Sequence, residues 1–324
     1  MAAGLRTVGE QLSIESALPW VMELLAEGAG GEMAPDPEPD ASVRVVVESE
    51  RRRFDTLGWE LLTRGAWRRD GEVVVENACT AGFDLHVDCT QAVARFTFRW
   101  RPPARDRAAA RVLRSRFHLL ARALMTQYPA MWWAGTRLRV PLHASACTAG
   151  DATPLLAAAS GVGRSTLILD ELEAGGRASG DNLAVGDGTT LWGLVEPLRV
   201  EGAGGRRMPH GRQEAPMPDR ARALTPDRVI VLERGTSDGP SLEPCSPEVA
   251  ARSLVAVTYM AGELRRYWSF AATLSAGTGA GPAHPPVADV ASLFTDALPC
   301  YTLALGRRPG ASLSSLLEAV EIAA

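Results

Sequence analysis

The residues with the clearest chemical promise are Ser160-Gly161-Val162-Gly163-Arg164-Ser165-Thr166. They follow an apolar run, Leu155 to Ala159, and open a stretch with helical periodicity. In a strand–turn–helix of this kind, successive backbone N–H groups and the helix N-terminus converge on an anion. The chemistry would be phosphate binding, with the Ser165 hydroxyl where such a turn coordinates Mg²⁺. Two residues depart from the G-x-x-x-x-G-K-[ST] pattern: Ala158 replaces the first glycine and Arg164 replaces the lysine. Arginine keeps the charge but is longer, planar and forked, so it cannot sit between phosphates as an ammonium does. Taken alone, the motif fits a plain Gly-Val-Gly turn before a helix equally well.

The flanking residues add to it. His143 stands in Leu142-His143-Ala144-Ser145-Ala146, one strand before the turn, and Asp181 in Ala178-Ser179-Gly180-Asp181-Asn182, beyond the following helix. In the order and spacing of His143, Gly163, Arg164, Ser165 and Asp181 the chain resembles the HPr kinase/phosphorylase family, and in particular its relatives in peptide natural-product gene clusters. The resemblance is best from Leu142 to Val185. It extends more loosely through Val229-Ile230-Val231-Leu232-Glu233 and the Pro299 to Val320 segment.

That resemblance implies a kinase using ATP or GTP with Mg²⁺ on a hydroxyl of a peptide or small protein. The amides of Gly161 to Ser165 would hold the β-phosphate, Ser165 would ligate the metal, and Asp181 would act as the base or help bind the metal. Arg164 and His143 would complete the catalytic set, although a capping or packing role suits His143 equally. The family's paired aspartate is Asn182 here, so one carboxylate is missing. Glu196 and Arg199 are candidates for the family's further glutamate and arginine. Arg206 and Arg207, after the glycine-rich stretch Gly202 to Gly205, are candidates for substrate or phosphate contact, or belong to a solvated loop. The alternative is a catalytically degenerate nucleotide-binding or peptide-binding scaffold or regulator of the same fold.

Positioning these residues requires an α/β core. Leu142 to Thr148, Pro154 to Ala159, Thr190 to Val195, Val229 to Leu232 and Tyr301 to Gly306 read as strands. Arg164 to Ala174, Pro247 to Met260 and Leu264 to Leu274 read as helices, as does a C-terminal stretch with Leu313, Leu316, Leu317 and Val320 facing inward. Upstream, alternation at Val43, Val45, Val47, at Phe83, Leu85, Val87, and at Ala94, Phe96, Phe98, Trp100 predicts an antiparallel sheet with one wet face. Ser13 to Ala26 reads as an amphipathic helix and Met33 to Ala41 as an acidic, proline-rich loop. Ala104 to Met125 reads as one long helix. Its arginine-rich face (Arg105, Arg107, Arg111, Arg114, Arg116, Arg122) either meets phosphate or an acidic peptide or is simply solvated.

The expected architecture is therefore a P-loop, HPr-kinase-like core over 103–324. A helix and a mainly antiparallel β region occupy 1–102, and helices pack around the sheet. Trp132 and Trp133 are expected to pack on the long helix, and Tyr267 and Trp268 to lie in a helix under the sheet.

Composition narrows the partners. Net charge is −4, which gives no global basic field, so nucleic acid is not expected. No lysine occurs in the chain. The five cysteines (Cys79, Cys89, Cys147, Cys245, Cys300) lack paired spacing, and His86, His118, His210 and His284 form no metal pattern. No membrane span or secretory leader is read, and the scattered, unpaired cysteines fit a reducing cytoplasm, the location expected. A homo-oligomer is implied only by the resemblance.

Overall fold

Short apolar alternations separated by glycine and proline favour strands that pair early in the chain, and the structure, a computed structural model, builds two compact α/β units from them. It describes residues 1–202, 204–208, 211–306 and 312–323, without the side chains of 319–323. His210 lies outside the described residues, and Val320 outside the described side chains.

The first unit comprises Met1–Leu138, Glu201–Glu214 and Arg266–Pro285. Its eight-stranded sheet runs Ala2–Thr7, Glu10–Ser16, Val43–Glu48, Ala94–Trp100, Phe83–Asp88, Glu72–Val75, Ala66–Arg69, Glu60–Thr63. The sheet is mixed, because Val43–Glu48 pairs parallel to both of its neighbours. The remaining pairings are antiparallel. Val43, Val45, Val47, Phe96 and Phe98 are buried, as their alternation requires. Burying side chains of this size contributes roughly 1.5–3 kcal/mol each. The expected helix at Ser13 to Ala26 is corrected. Its first residues close a hairpin with Ala2–Thr7 through a tight Val8-Gly9 turn, and the helix is Pro19–Ala29. A strand's period wins there because Leu12 and Ile14 alternate into the core.

The long helix expected at Ala104 to Met125 is also corrected. Ala104–Val112 and Arg114–Arg122 are separate helices, broken at Leu113 (φ −104°, ψ 52°). A π turn, Ala123–Gln127, then leads into Tyr128–Gly135. Pro129 explains the π turn, since proline supplies no N–H and crowds the carbonyl four residues back. Residues 103–138, expected with the phosphate-turn region, belong to the first unit. Leu124, Met125, Met131 and Trp132 are buried there, with Trp132 edge-on to Phe96 and donating from Nε1 to Ser275 Oγ at 3.1 Å. Tyr267–Thr278 packs near the Ala66–Arg69 and Glu72–Val75 strands.

The second unit comprises Arg139–Val200, Ala215–Arg265 and Pro286–Ala324. A five-stranded sheet runs Ala144–Ala146, Pro154–Ala158, Arg228–Arg234, Cys300–Leu305, Ser241–Pro244, with the three central strands parallel. An antiparallel four-stranded sheet runs Ala223–Leu224, Leu191–Gly193, Ala184–Gly186, Val140–Leu142. The strand expected from Leu142 to Thr148 is split at His143, where the chain leaves one sheet and enters the other. The helix Arg164–Glu173 sends Ile168 and Leu172 into a core with Leu156, Ile230 and Leu303. Pro247–Met260 is capped by Ser246, whose Oγ accepts from Val249 N at 3.4 Å. The helix Val287–Ala297 was not anticipated from sequence; it packs against Pro247–Met260.

Candidate phosphate-binding turn and its buried polar cluster

The parallel strand Pro154–Ala158 is fully buried and delivers the chain to the turn. Ala158 ends that strand without a positive φ, so the conformation does not demand the glycine the motif usually carries. Gly161 (φ +84°) and Gly163 (φ +133°) do occupy glycine territory. At Gly163 a Cβ would also come 2.9 Å from Leu305 Cδ1. Val162 N donates to Ala159 O at 3.4 Å, and the amides of Thr166 and Leu167 are taken by Gly163 O. The N–H groups of Gly161, Gly163, Arg164 and Ser165 have no protein acceptor among the described residues. Those four donors stand at the N-terminus of a ten-residue helix, where the backbone dipoles favour negative charge.

The Arg164 side chain does something else. It is 5% exposed, and its guanidinium bonds inside the protein. Nη1 donates to His143 O at 2.9 Å; Nη2 reaches His143 Nε2 and Asn182 Oδ1, each at 3.1 Å. A guanidinium only donates, so Nε2 accepts and the His143 proton lies on Nδ1. Burial first, and then the positive charge of Arg164, push His143 down to about 3, so the ring is neutral. The break between the two strands at His143 is held by its own N–H, which donates to Thr258 Oγ1 at 3.0 Å.

Asn182 carries the cluster onward. Its Nδ2 donates to Asp181 Oδ2 at 2.9 Å, and its backbone N donates to Glu196 Oε1 at 2.9 Å. Arg199 closes the network: N to Asp181 Oδ2 at 3.1 Å, Nη2 to Glu196 Oε2 at 2.9 Å, and Nη1 to Glu263 Oε1 at 2.5 Å. Burial raises the Glu196 carboxyl above its usual range, with Arg199 pulling the other way. The acids around Arg199 hold its charge on more firmly than usual despite burial. Arg220 donates to Leu194 O at 3.0 Å and Glu196 O at 2.5 Å, fixing the backbone that presents Glu196.

The structure thus brings His143, Arg164, Asp181, Asn182, Glu196 and Arg199 into one buried network. Arg206 and Arg207 belong to the first unit, where Arg206 pairs with Glu27 and the Arg207 carbonyl accepts from Ser115 Oγ at 2.9 Å. Arg164 is corrected in one respect: its amide faces the turn, but its guanidinium is committed to His143 and Asn182. Ser165 Oγ has no hydrogen bond among the described residues, and Asp181 Oδ1 has none either. Asp181 is wholly buried, whereas Mg²⁺ keeps several waters. That burial argues against Asp181 as a direct ligand of a hydrated Mg²⁺, and it does not bear on Ser165, whose Oγ is unbonded among the described residues. Among the described residues no three His, Cys, Asp or Glu side chains gather into a group that could hold a metal ion by themselves.

Two residues at the turn were missed as site candidates. In the parallel register Ala158 lies opposite Leu232, so Glu233 and Arg234 follow at the same end of the sheet as the turn. Both are exposed, and Arg234 Nη2 donates to Gly161 O at 2.8 Å. A charged pair directly after the buried run Val229 to Leu232 was the available signal. Glu263, beyond the end of a helix, carried no local signal at all.

No family model matches the chain, and no curated protein is detectably similar to it in sequence.

Proposed function

We propose that this chain is a nucleotide-binding regulator or scaffold related to the HPr kinase/phosphorylases. In this reading the 160–166 turn holds phosphate groups, and the buried cluster supports the turn without transferring phosphate. One observation carries it: four turn amides lack protein partners while the Arg164 guanidinium is turned into the protein. The anion is then bound by backbone dipoles, with Arg234 beside the turn as the nearby cation. The lost second aspartate is consistent with this, since Asn182 serves as a relay between Arg164 and Asp181.

The decisive measurement is calorimetry with ATP, GTP and inorganic phosphate, each with and without Mg²⁺. Binding should be seen, should depend little on Mg²⁺, and should be lost in Gly161→Asp. It should be largely kept in Gly161→Asn, which carries the same backbone strain at this positive φ without the charge. The aspartate sets a carboxylate at the turn, and no atom lies within 4 Å of the Cβ it adds. If wild type binds none of the three, or Gly161→Asp binds equally well, the reading fails.

The kinase reading is favoured by Glu233, an exposed carboxylate at the turn end of the sheet. A transferase needs an accessible base near the phosphate, and Glu233 is better exposed for that than Asp181. Mass spectrometry of candidate peptides incubated with ATP or GTP separates the two readings. Phosphate on a Ser or Thr, abolished by Glu233→Gln, would establish the kinase and remove the scaffold.

A further inference from the structure

A cavity of about 900 Å³ opens within the first unit, independently of the phosphate turn. Its floor is aromatic. Trp20, Trp100 and Phe117 approach one another with ring centroids 5.4–6.1 Å apart, and Trp20 remains 36% exposed. Its rim is cationic. Arg51, Arg107, Arg111 and Arg114 line it, and none of the four has an ion-pair partner among the described residues. The fifth lining arginine, Arg101, is already paired with Asp84. Of the two acids in the wall, Glu27 is paired with Arg206, which leaves Glu23. His118, also in the wall, is pushed down to about 4 by burial and by Arg206, so it adds no charge at neutral pH.

The helix Ala104–Val112, which bears Arg107 and Arg111, buries none of its nine residues. A helix that short is marginal on its own, and like-charged arginines one turn apart weaken it further. An anionic partner along that face would relieve the repulsion. Arg107 and Arg111 stand about 6 Å apart along the axis, a spacing that suits carboxylates in a row better than one compact anion.

We propose that this groove binds an acidic peptide segment of a partner protein, with carboxylates on the arginine rim and an apolar side chain on the Trp20 floor. A single-stranded nucleic acid suits it less well, because the unpaired Glu23 on the wall would meet an unbroken run of phosphates. A peptide can place a neutral or basic residue there.

The test uses the full chain and a short fluorescein-labelled peptide in which glutamates are interspersed with leucines, followed by anisotropy and by the tryptophan emission that Trp20→Phe removes. Binding should weaken with salt and fall by roughly tenfold or more in Arg107→Glu/Arg111→Glu, since several exposed charge pairs are lost or reversed at once. Arg44→Glu/Arg95→Glu changes the net charge equally on exposed strand positions and should leave binding intact. Circular dichroism would show that both variants fold. The proposal is overturned if a glutamine version of the peptide binds as well or if oligouridine binds more tightly. It also fails if ATP or inorganic phosphate displaces the peptide, or if the Arg44/Arg95 control loses binding to the same extent.

Discussion

Arg164 and Arg199 in the second unit are 5% and 8% exposed, and acceptors occupy both terminal nitrogens of each. Arg107, Arg111 and Arg114 in the first unit are exposed and unpaired among the described residues. The same side chain does opposite work in the two places. Where it is buried it satisfies carbonyls and carboxylates and fixes the loops that carry them. Where it is exposed its charge remains available to something else. The arginine at the motif's lysine position turns its guanidinium into the protein, and those on the face read as either anion-binding or solvated have no ion-pair partner among the described residues.

The sharpest way to break that contrast is to remove a buried member. Arg199→Met should destabilise the second unit by about 3–5 kcal/mol, because Glu196 and Glu263 lose their cation inside the protein. Chemical denaturation measures it. Adding Glu196→Gln to Arg199→Met should recover part of the loss, by removing the charge left behind. If Arg199→Met is as stable as wild type, the network is not the support inferred for it.

Sequence reading found the turn, the parallel strand before it and the helix after it because apolar runs and glycines are local signals. It also placed His143, Asp181, Glu196 and Arg199 on one list. It did not show that they form a single network, since that depends on two sheets meeting at His143 and on Glu263 arriving from far along the chain. The direction of the Arg164 side chain was likewise illegible. It is decided by acceptors at His143 and Asn182, and no spacing in the sequence encodes their orientation. Residues 13–16 were misread as the start of a helix because a strand's period and a helix's period agree over so few residues.

The next effect concerns acid. The unfolded chain protonates His143 near 6.5, whereas the folded state resists until about 3. The unfolded state therefore binds more protons between those values, and stability falls as pH drops. Between pH 6.5 and 4.5 the loss should be on the order of 1–3 kcal/mol, before most carboxylates titrate. His143→Gln keeps an acceptor for Arg164 and should flatten that window. Glu263, whose carboxyl burial pushes up but Arg199 and hydrogen bonding together hold below its usual range, acts in the same direction only at lower pH. Equal slopes for wild type and His143→Gln would show that the ring is not buried neutral.

A smaller change is expected at the turn. Arg234→Gln should weaken nucleotide or phosphate binding by roughly threefold to tenfold, the worth of one exposed charge with a positioning bond to Gly161 O. Stability should barely change. If affinity is unaltered, the backbone amides bind the anion unaided.

The smallest expected effect closes the comparison, because it asks whether the exposed arginines contribute to the fold at all. Arg107→Ala and Arg111→Ala each remove a long exposed side chain from a helix with no buried residue. Alanine is the better helix former, and each change relieves a like-charge neighbour one turn away. Stability should therefore stay within about 0.5 kcal/mol of wild type or rise slightly. Urea denaturation of the two variants measures this against the multi-kilocalorie loss expected at Arg199. A loss above about 1 kcal/mol at either position would mean that the rim arginines are engaged within the fold. Their charges would then be unavailable for an acidic partner, and the opposition between the two sets of arginines would no longer hold.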